Sequence, residues 1–287
     1  MSAPTAVRTV RRAAVLGSPI AHSLSPTLHA AAYEVLGLRW SYAAIECDES
    51  QLPGVLLGFD ESFVGLSLTM PLKRAALPLL DELSELAEAV GAVNTVIFDG
   101  VGPFLRRRGE NTDVPGMVAA IASERPNQVG RVAILGAGGT AAAALAAVRE
   151  LGVARSAVIV RDPARAEELL RSAARLGVTP ILVEWPGHAA LGDADLIIST
   201  VPAGATDALA TQTPAGPGQL LFDVVYRPWP TAYAAASQAA GATVIGGLEL
   251  LVQQAARQVE LWTGRPAPID VMRKAGEAEM ASRSVGS

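Results

Sequence analysis

Val132-Ala133-Ile134-Leu135-Gly136-Ala137-Gly138-Gly139-Thr140-Ala141-Ala142-Ala143 is the stretch that decides the fold. Four apolar residues, three glycines within four positions and an alanine run predict a strand, a tight turn and the start of a helix. In that context Gly136 permits the turn and Gly138 lets a pyrophosphate approach the backbone. The small residues beyond let the helix lie close on its strand with its N-terminus toward the phosphates. Ala141 stands where the usual fingerprint has its third glycine. Gly136, Ala137, Gly138, Gly139, Thr140 and Ala141 are therefore the candidate dinucleotide loop, against the plainer reading of a structural turn.

The end of the next strand bears on which dinucleotide is bound. Val158-Ile159-Val160 ends uncharged and is followed by Arg161, Asp162, Pro163 and Arg165. Two guanidiniums at that place suit a 2′-phosphate, to which each can donate fork-like, charge-assisted hydrogen bonds. Asp162 has two readings: turned inward it repels a phosphate and favours NAD, whereas as cap of a helix opening at Pro163 it is neutral in the choice. The expectation is NADP rather than NAD.

Working outward, strands at Val132–Leu135, Ala157–Val160, Leu196–Ser199, Leu220–Val224 and Thr243–Ile245 recur at the spacing of successive βα units and predict a Rossmann-like domain. Earlier strands near Ala13–Leu16, Tyr42–Ile45 and Val64–Leu68, with helices between, predict a second α/β domain, also read as parallel. A helix beginning near Thr112, with its exit at Arg125-Pro126-Asn127, marks the boundary. Leu248, Leu251, Val252, Ala255, Val259 and Trp262 recur at three and four, one face of a helix. The expected domains are 1–112, completed by 249–287, and 113–248.

The chain has 287 residues, half of them apolar, which argues against disorder. A net charge of −5 with no long basic run gives no field for a nucleic-acid backbone. One cysteine, Cys47, excludes an intrachain disulfide and a thiolate metal site. Arg8, Arg11 and Arg12 precede an apolar run of about five residues, short of the roughly 7 to 15 of an export signal. Val132 to Val148 is uncharged but glycine-broken, so a strand, turn and helix are expected there rather than a membrane span. A cytoplasmic, metal-free protein, monomeric or homodimeric, without nucleic-acid or membrane partners, is expected.

Two segments carry candidate chemistry of their own. In His22-Ser23-Leu24-Ser25-Pro26, the proline predicts extended chain before it, so Ser23 and Ser25 would face one way and could hold both oxygens of a carboxylate. The other reading has Ser25 capping a helix with Pro26 at its first position. Gly65-Leu66-Ser67-Leu68-Thr69-Met70-Pro71-Leu72-Lys73 is a strand whose end delivers a threonine and a lysine, where ligands bind in α/β sheets.

These two segments, with Gly91-Ala92-Val93-Asn94-Thr95, Gly109-Glu110-Asn111-Thr112-Asp113, the Gly136–Gly139 loop, Asp223-Val224-Val225-Tyr226-Arg227-Pro228, and Gly247 to Gln254 followed by Trp262-Thr263-Gly264, resemble the shikimate dehydrogenase family in order and spacing. The likeness runs from about Ala13 to Ile269. It implies an N-terminal α/β substrate domain and a C-terminal NAD(P)-binding Rossmann domain, with the last helices returning to the cleft. It also implies reversible NADPH-dependent reduction of 3-dehydroshikimate to shikimate, with quinate or aminoshikimate oxidation by NAD as the alternative. Ser23 and Ser25 would bind the substrate carboxylate, and Lys73 and Asp113 would form the catalytic pair. Thr69, Asn94 and Gln254 would bind ring hydroxyls, Tyr226 would lie near carboxylate and nicotinamide, and Gly247 belongs to the cofactor set. Ser67, where the family commonly has asparagine, would make a shorter or water-mediated hydroxyl contact. Ala30 and Val160 also replace asparagines. His22 matches a family histidine whose role is structural or catalytic. Lys73 can take a hydroxyl proton if burial lowers its pKa, while a neighbouring Asp113 carboxylate would raise it again, so the pair would titrate as a unit.

Overall fold

The computed structural model describes residues 10–125, 129–153 and 155–285. In chain order the first elements are β1 (Arg12–Gly17), α1 (Ser25–Val35), β2 (Ser41–Glu46), α2 (Leu52–Leu57), β3 (Phe63–Leu68) and α3 (Leu72–Ala75). Then come β4 (Glu82–Leu83), α4 (Glu85–Val90), β5 (Thr95–Asp99), β6 (Arg106–Glu110) and α5 (Asp113–Glu124). The glycine loop sits between β7 (Val132–Leu135) and α6 (Gly139–Glu150), followed by β8 (Ser156–Val160), α7 (Glu167–Leu176), β9 (Ile181–Glu184) and α8 (His188–Asp193). The rest is β10 (Leu196–Ser199), α9 (Asp207–Gln212), β11 (Leu220–Asp223), α10 (Ala232–Ala239), β12 (Thr243–Gly246), α11 (Gly247–Thr263) and α12 (Ile269–Val285).

The chain forms two compact units, each with one six-stranded sheet. The first comprises residues 1–83, 93–110 and 258–287, as far as they are described, and the second 84–92 and 111–257. These bounds depart from the expected ones at three places. Residues 84–92 and 111–112 group with the second unit, and α11 begins in the second unit and ends in the first. Helix α5 ends before Pro126 and Asn127, which lie outside the described residues.

The second sheet is wholly parallel, in the order β12-β11-β10-β7-β8-β9. Numbered from β7 in chain order, that is 3-2-1-4-5-6 read from the β9 edge, the doubly wound dinucleotide-binding arrangement, with its switch point between β7 and β10. Alternate residues of β7 feed opposite faces. Val132 and Ile134 pack with the alanines of α6 and with Val114, Met117 and Ile121 of α5, while Ala133 and Leu135 pack with Leu209 and Tyr233 of α9 and α10. Both faces are covered, which is why these strands read as unbroken apolar runs.

The first sheet runs β2-β1-β3-β5-β6-β4 and is mixed. β1 pairs in parallel with β2 and β3, but β5 is antiparallel to both β3 and β6. The expectation of a parallel sheet therefore holds for its first three strands and fails at the hairpin, where a short loop joins β5 to β6 without a crossover helix. Trp262 closes one face: its indole lies against Gly65, where an added Cβ would fall 2.0 Å from Nε1, and it donates to the Val96 carbonyl at 3.2 Å. Val132 to Val148 forms β7, the loop and α6, and no described helix is long and apolar enough to cross a membrane.

Candidate active site

The topology of the first sheet gathers three of the marked segments at one edge. β1 and β3 end there together, Leu16 opposite Leu68, and β5 starts there because Ser67 pairs antiparallel with Thr95. The chain leaving β1 carries Ser23 and Ser25, the chain leaving β3 carries Thr69 and Lys73, and Asn94 directly precedes β5. Thr69 is anchored by its N–H to the Leu16 carbonyl at 2.9 Å and packs on Gly17, where a Cβ would meet its methyl at 2.3 Å. Lys73 is half-buried, and its carbonyl accepts from Val93 N–H at 2.8 Å, tying the α3 turn to the segment before Asn94.

The two serines meet by a route that differs from the sequence expectation. Leu24 has helical backbone angles, not extended ones, and Ser25 is the first residue of α1 rather than its cap. Ser25 N–H donates to Ser23 Oγ at 3.3 Å, and the Ser25 hydroxyl hydrogen-bonds Tyr42. A turn closed by Ser23, not strand periodicity, sets the path of the chain between the two serines. Below them His29 is fully buried and stacked on Tyr42 with ring centroids 4.0 Å apart. Its Nδ1–H donates to the Ser25 carbonyl at 2.9 Å, and burial holds its pKa down at about 4, so the ring is neutral.

Ser67 and Asn94 are buried in a side-chain network. Ser67 donates to Gln258 Oε1 at 2.8 Å and pairs with Tyr42 at 2.6 Å, and Thr95 donates to Asn94 Oδ1 at 2.9 Å. Gln258 is not among the expected residues. The available signal is a glutamine next to the apolar stripe of α11, three residues after Ala255 and four before Trp262.

In the second unit Asp113 opens α5 and is 4% exposed. The Asn111 side chain fixes it, accepting from Asp113 N–H at 3.1 Å and Val114 N–H at 3.2 Å while donating to the Ala92 carbonyl at 2.9 Å. An asparagine two residues before a helix start is the signal that marks this clamp. Gln254 is buried on α11, donates to the Leu251 carbonyl at 2.9 Å, and lies over Gly116, where a Cβ would come 3.1 Å from its backbone nitrogen. Tyr226 is half-buried in the loop after β11, which Asp223 spans by accepting from Val225 N–H at 3.2 Å and the Thr231 hydroxyl at 2.7 Å. Burial pushes the Asp223 carboxyl up despite these donors.

The glycine loop fits a dinucleotide. Gly136 has φ +112°, and a Cβ there would sit 2.6 Å from Thr200 Oγ1, at the switch point between β7 and β10. At Gly138, the residue preceding α6, a Cβ would meet nothing within 4 Å, leaving open space before the helix N-terminus. Ala141 is fully buried in the helix packing, which is why a small residue suffices in the third glycine position. Gly247 has a packing reason as well: a Cβ would lie 2.0 Å from the Val224 carbonyl. Asp162 accepts from Ala164 N–H at 3.0 Å and caps the 3-10 turn Pro163–Ala166. Its carboxylate therefore takes the capping role of the two readings. Arg161 is exposed, and the Arg165 side chain lies outside the described residues.

Residues 15–96 match the Shikimate dehydrogenase substrate binding domain, and residues 247–275 the Shikimate 5'-dehydrogenase C-terminal domain. A shikimate dehydrogenase (NADP(+)) of Oleidesulfovibrio alaskensis is 37% identical over 88% of this chain and 90% of its own. The chain belongs to the shikimate dehydrogenase family. Among solved members of the family, the Mycobacterium tuberculosis shikimate dehydrogenase matches with a TM-score of 0.83 and 41% identity, covering 93% of this chain and 99% of its own. The Thermus thermophilus shikimate 5-dehydrogenase, in complex with NADP(H) and shikimate, matches with a TM-score of 0.82 and 37% identity over 94% of this chain and 99% of that one.

Proposed function

We propose that this chain is an NADP-dependent shikimate dehydrogenase, interconverting 3-dehydroshikimate and shikimate. The observation that carries the reading is the convergence of Ser23, Ser25, Thr69, Lys73 and Asn94 at one edge of the first sheet, on a chain whose curated relatives are named for that reaction. The first unit is the substrate domain and the second the cofactor domain.

The Ser23 and Ser25 hydroxyls hold the substrate carboxylate, with Tyr226 alongside. Thr69, Asn94 and Gln254 take ring hydroxyls. NADP, when bound, supplies the hydride acceptor. As the carbinol carbon loses hydride its oxygen must lose a proton, and Lys73 takes it, with Asp113 as the second member of the catalytic pair; in the reverse direction Lys73 returns the proton to the carbonyl oxygen. A positioned acid/base of this kind contributes about 10² to 10⁴ in rate. Gly136 to Ala141 and the start of α6 hold the pyrophosphate, with Gly247 at the same edge of the sheet, and Arg161 and Arg165 the 2′-phosphate. The Asp162 carboxylate accepts from the Ala164 N–H, which supports its reading as a cap rather than as a partner of the ribose. The enzyme works in the cytoplasm, as a monomer or homodimer, on small molecules alone.

The test is a set of initial rates with shikimate and with quinate, each paired with NADP and with NAD. Shikimate with NADP should give the highest kcat/KM. Preference for quinate, or for NAD, overturns the reading.

A further inference from the structure

Five side chains of the first unit form one hydrogen-bonded chain whose direction can be read atom by atom. Gln258 Nε2 lies 3.4 Å from the Asn94 carbonyl, which can only accept, and 2.9 Å from Thr95 Oγ1. Gln258 Oε1, also only an acceptor, lies 2.8 Å from Ser67 Oγ. The single Ser67 proton is therefore directed to Gln258, and at 2.6 Å Ser67 accepts the Tyr42 proton. Thr95, accepting from Gln258, directs its own proton to Asn94 Oδ1 at 2.9 Å. The amide of Asn94 is thereby pinned with its oxygen toward Thr95 and its NH₂ at the other end. Ser67, Asn94, Thr95 and Gln258 are all at most 5% exposed, so water does not compete for these bonds.

From this juxtaposition we infer that Gln258 is a positioning residue for substrate recognition: through Thr95 it sets which end of the Asn94 amide meets a ring hydroxyl. Ser67 is then a strut of this network rather than a direct substrate contact. The inference rests on the proposed role of Asn94 in binding a substrate hydroxyl.

Gln258→Glu tests it with almost no change of shape. An ionised carboxylate has no proton to donate, so Thr95 turns its proton to Glu and Asn94 Oδ1 loses its donor. A protonated glutamic acid donates to Thr95 again and restores the order. The KM for shikimate should rise about tenfold at alkaline pH, the size of one misplaced hydrogen bond, and fall back toward the parent value as pH is lowered. The KM for NADP should stay within about twofold of the parent, because the cofactor loop shares no atom with the network. Gln258→Met, which neither donates nor accepts there, should raise the shikimate KM with no dependence on pH beyond the parent's. In an Asn94→Ala background both substitutions should add nothing.

A Gln258→Glu KM that tracks the parent at every pH, or one whose rise persists unchanged to low pH, overturns the inference. If Gln258→Glu does not fold, the Gln258→Met rise and its disappearance in the Asn94→Ala background decide, and persistence there overturns it. Asn94→Ala alone separates the two levels: if it leaves the shikimate KM unchanged, the assigned role of Asn94 fails, whereas a raised KM for Asn94→Ala with none for Gln258→Glu sinks only the role of Gln258.

Discussion

The two sheets build the edges we assign to ligands from different materials. In the second unit the edge is backbone: a left-handed glycine, an open glycine and the first amides of a helix, with one aspartate turned aside as a cap. In the first unit it is side chains, held by other side chains beneath them: Ser25 by Tyr42, Asn94 by Thr95, and Thr95 and Ser67 by Gln258. A phosphate carries charge and little directional pattern, so main-chain amides and a helix terminus suffice for it. A polyhydroxylated ring must be read hydroxyl by hydroxyl, and donors and acceptors then need fixed orientations.

This contrast can be broken first where the effect is largest. Lys73→Ala should lower kcat by about 10³ while leaving the affinity for NADP within about twofold, measured by initial rates and cofactor titration. An unchanged kcat would remove Lys73 from the chemistry.

Next in size is a pH effect confined to the first unit. His29 is neutral when folded with a pKa lowered to about 4, whereas an unfolded histidine titrates near 6.5, so between those values the unfolded chain binds the extra proton. Its contribution is fully present above about pH 6.5 and is lost as pH falls through 4, up to about 3 kcal/mol by linkage. Denaturant melts at stepped pH should show His29→Phe flattening that part of the slope relative to the parent. Equal slopes in the two proteins would contradict it.

Two glycines sharpen the comparison inside the backbone-made edge. Gly136→Ala combines a left-handed backbone with a 2.6 Å approach to Thr200, so it should cost about 1 to 3 kcal/mol in stability and raise the KM for NADP by at least tenfold. Gly138→Ala places its methyl in open space, so Tm should hold while the NADP KM alone rises about tenfold. A matched fall in Tm for both would mean that the open space is structural. Smallest of all, Arg161→Ala should weaken NADP about five- to tenfold without touching NAD, the share of one charge-assisted hydrogen-bonded partner at an exposed site.

The same contrast explains what is legible in the sequence alone. β7 and β10 fall on the residues expected from their apolar runs, because strands buried on both faces announce themselves. The Asp162-Pro163 cap is readable as a local rule, though it opens a 3-10 turn before the α-helix begins at Glu167. The first unit is harder. β6, Arg106-Arg107-Arg108-Gly109-Glu110, has no apolar alternation and is a strand because β5 and β4 pair with it on either side. β5 escapes the reading too, as the continuation of a segment read for Asn94 alone, and in the second unit so does β9, a half-exposed edge strand. Ser67 reads as a substrate contact from its place in a motif, while the residue that engages it, Gln258, lies 191 positions away in the chain. Hydrogen bonds of that span leave no periodicity to read.

One feature of the chain's path reaches beyond the site. The backbone passes between the two compact units at four places: after residues 83, 92, 110 and 257. Neither unit is thus a continuous stretch of gene, and no single cut of the polypeptide releases either one whole. A swap of cofactor domains between relatives by one crossover would carry foreign residues into the substrate unit or strand α4 among partners it was not selected with, so such enzymes should exchange these halves rarely and change cofactor preference by point substitution instead.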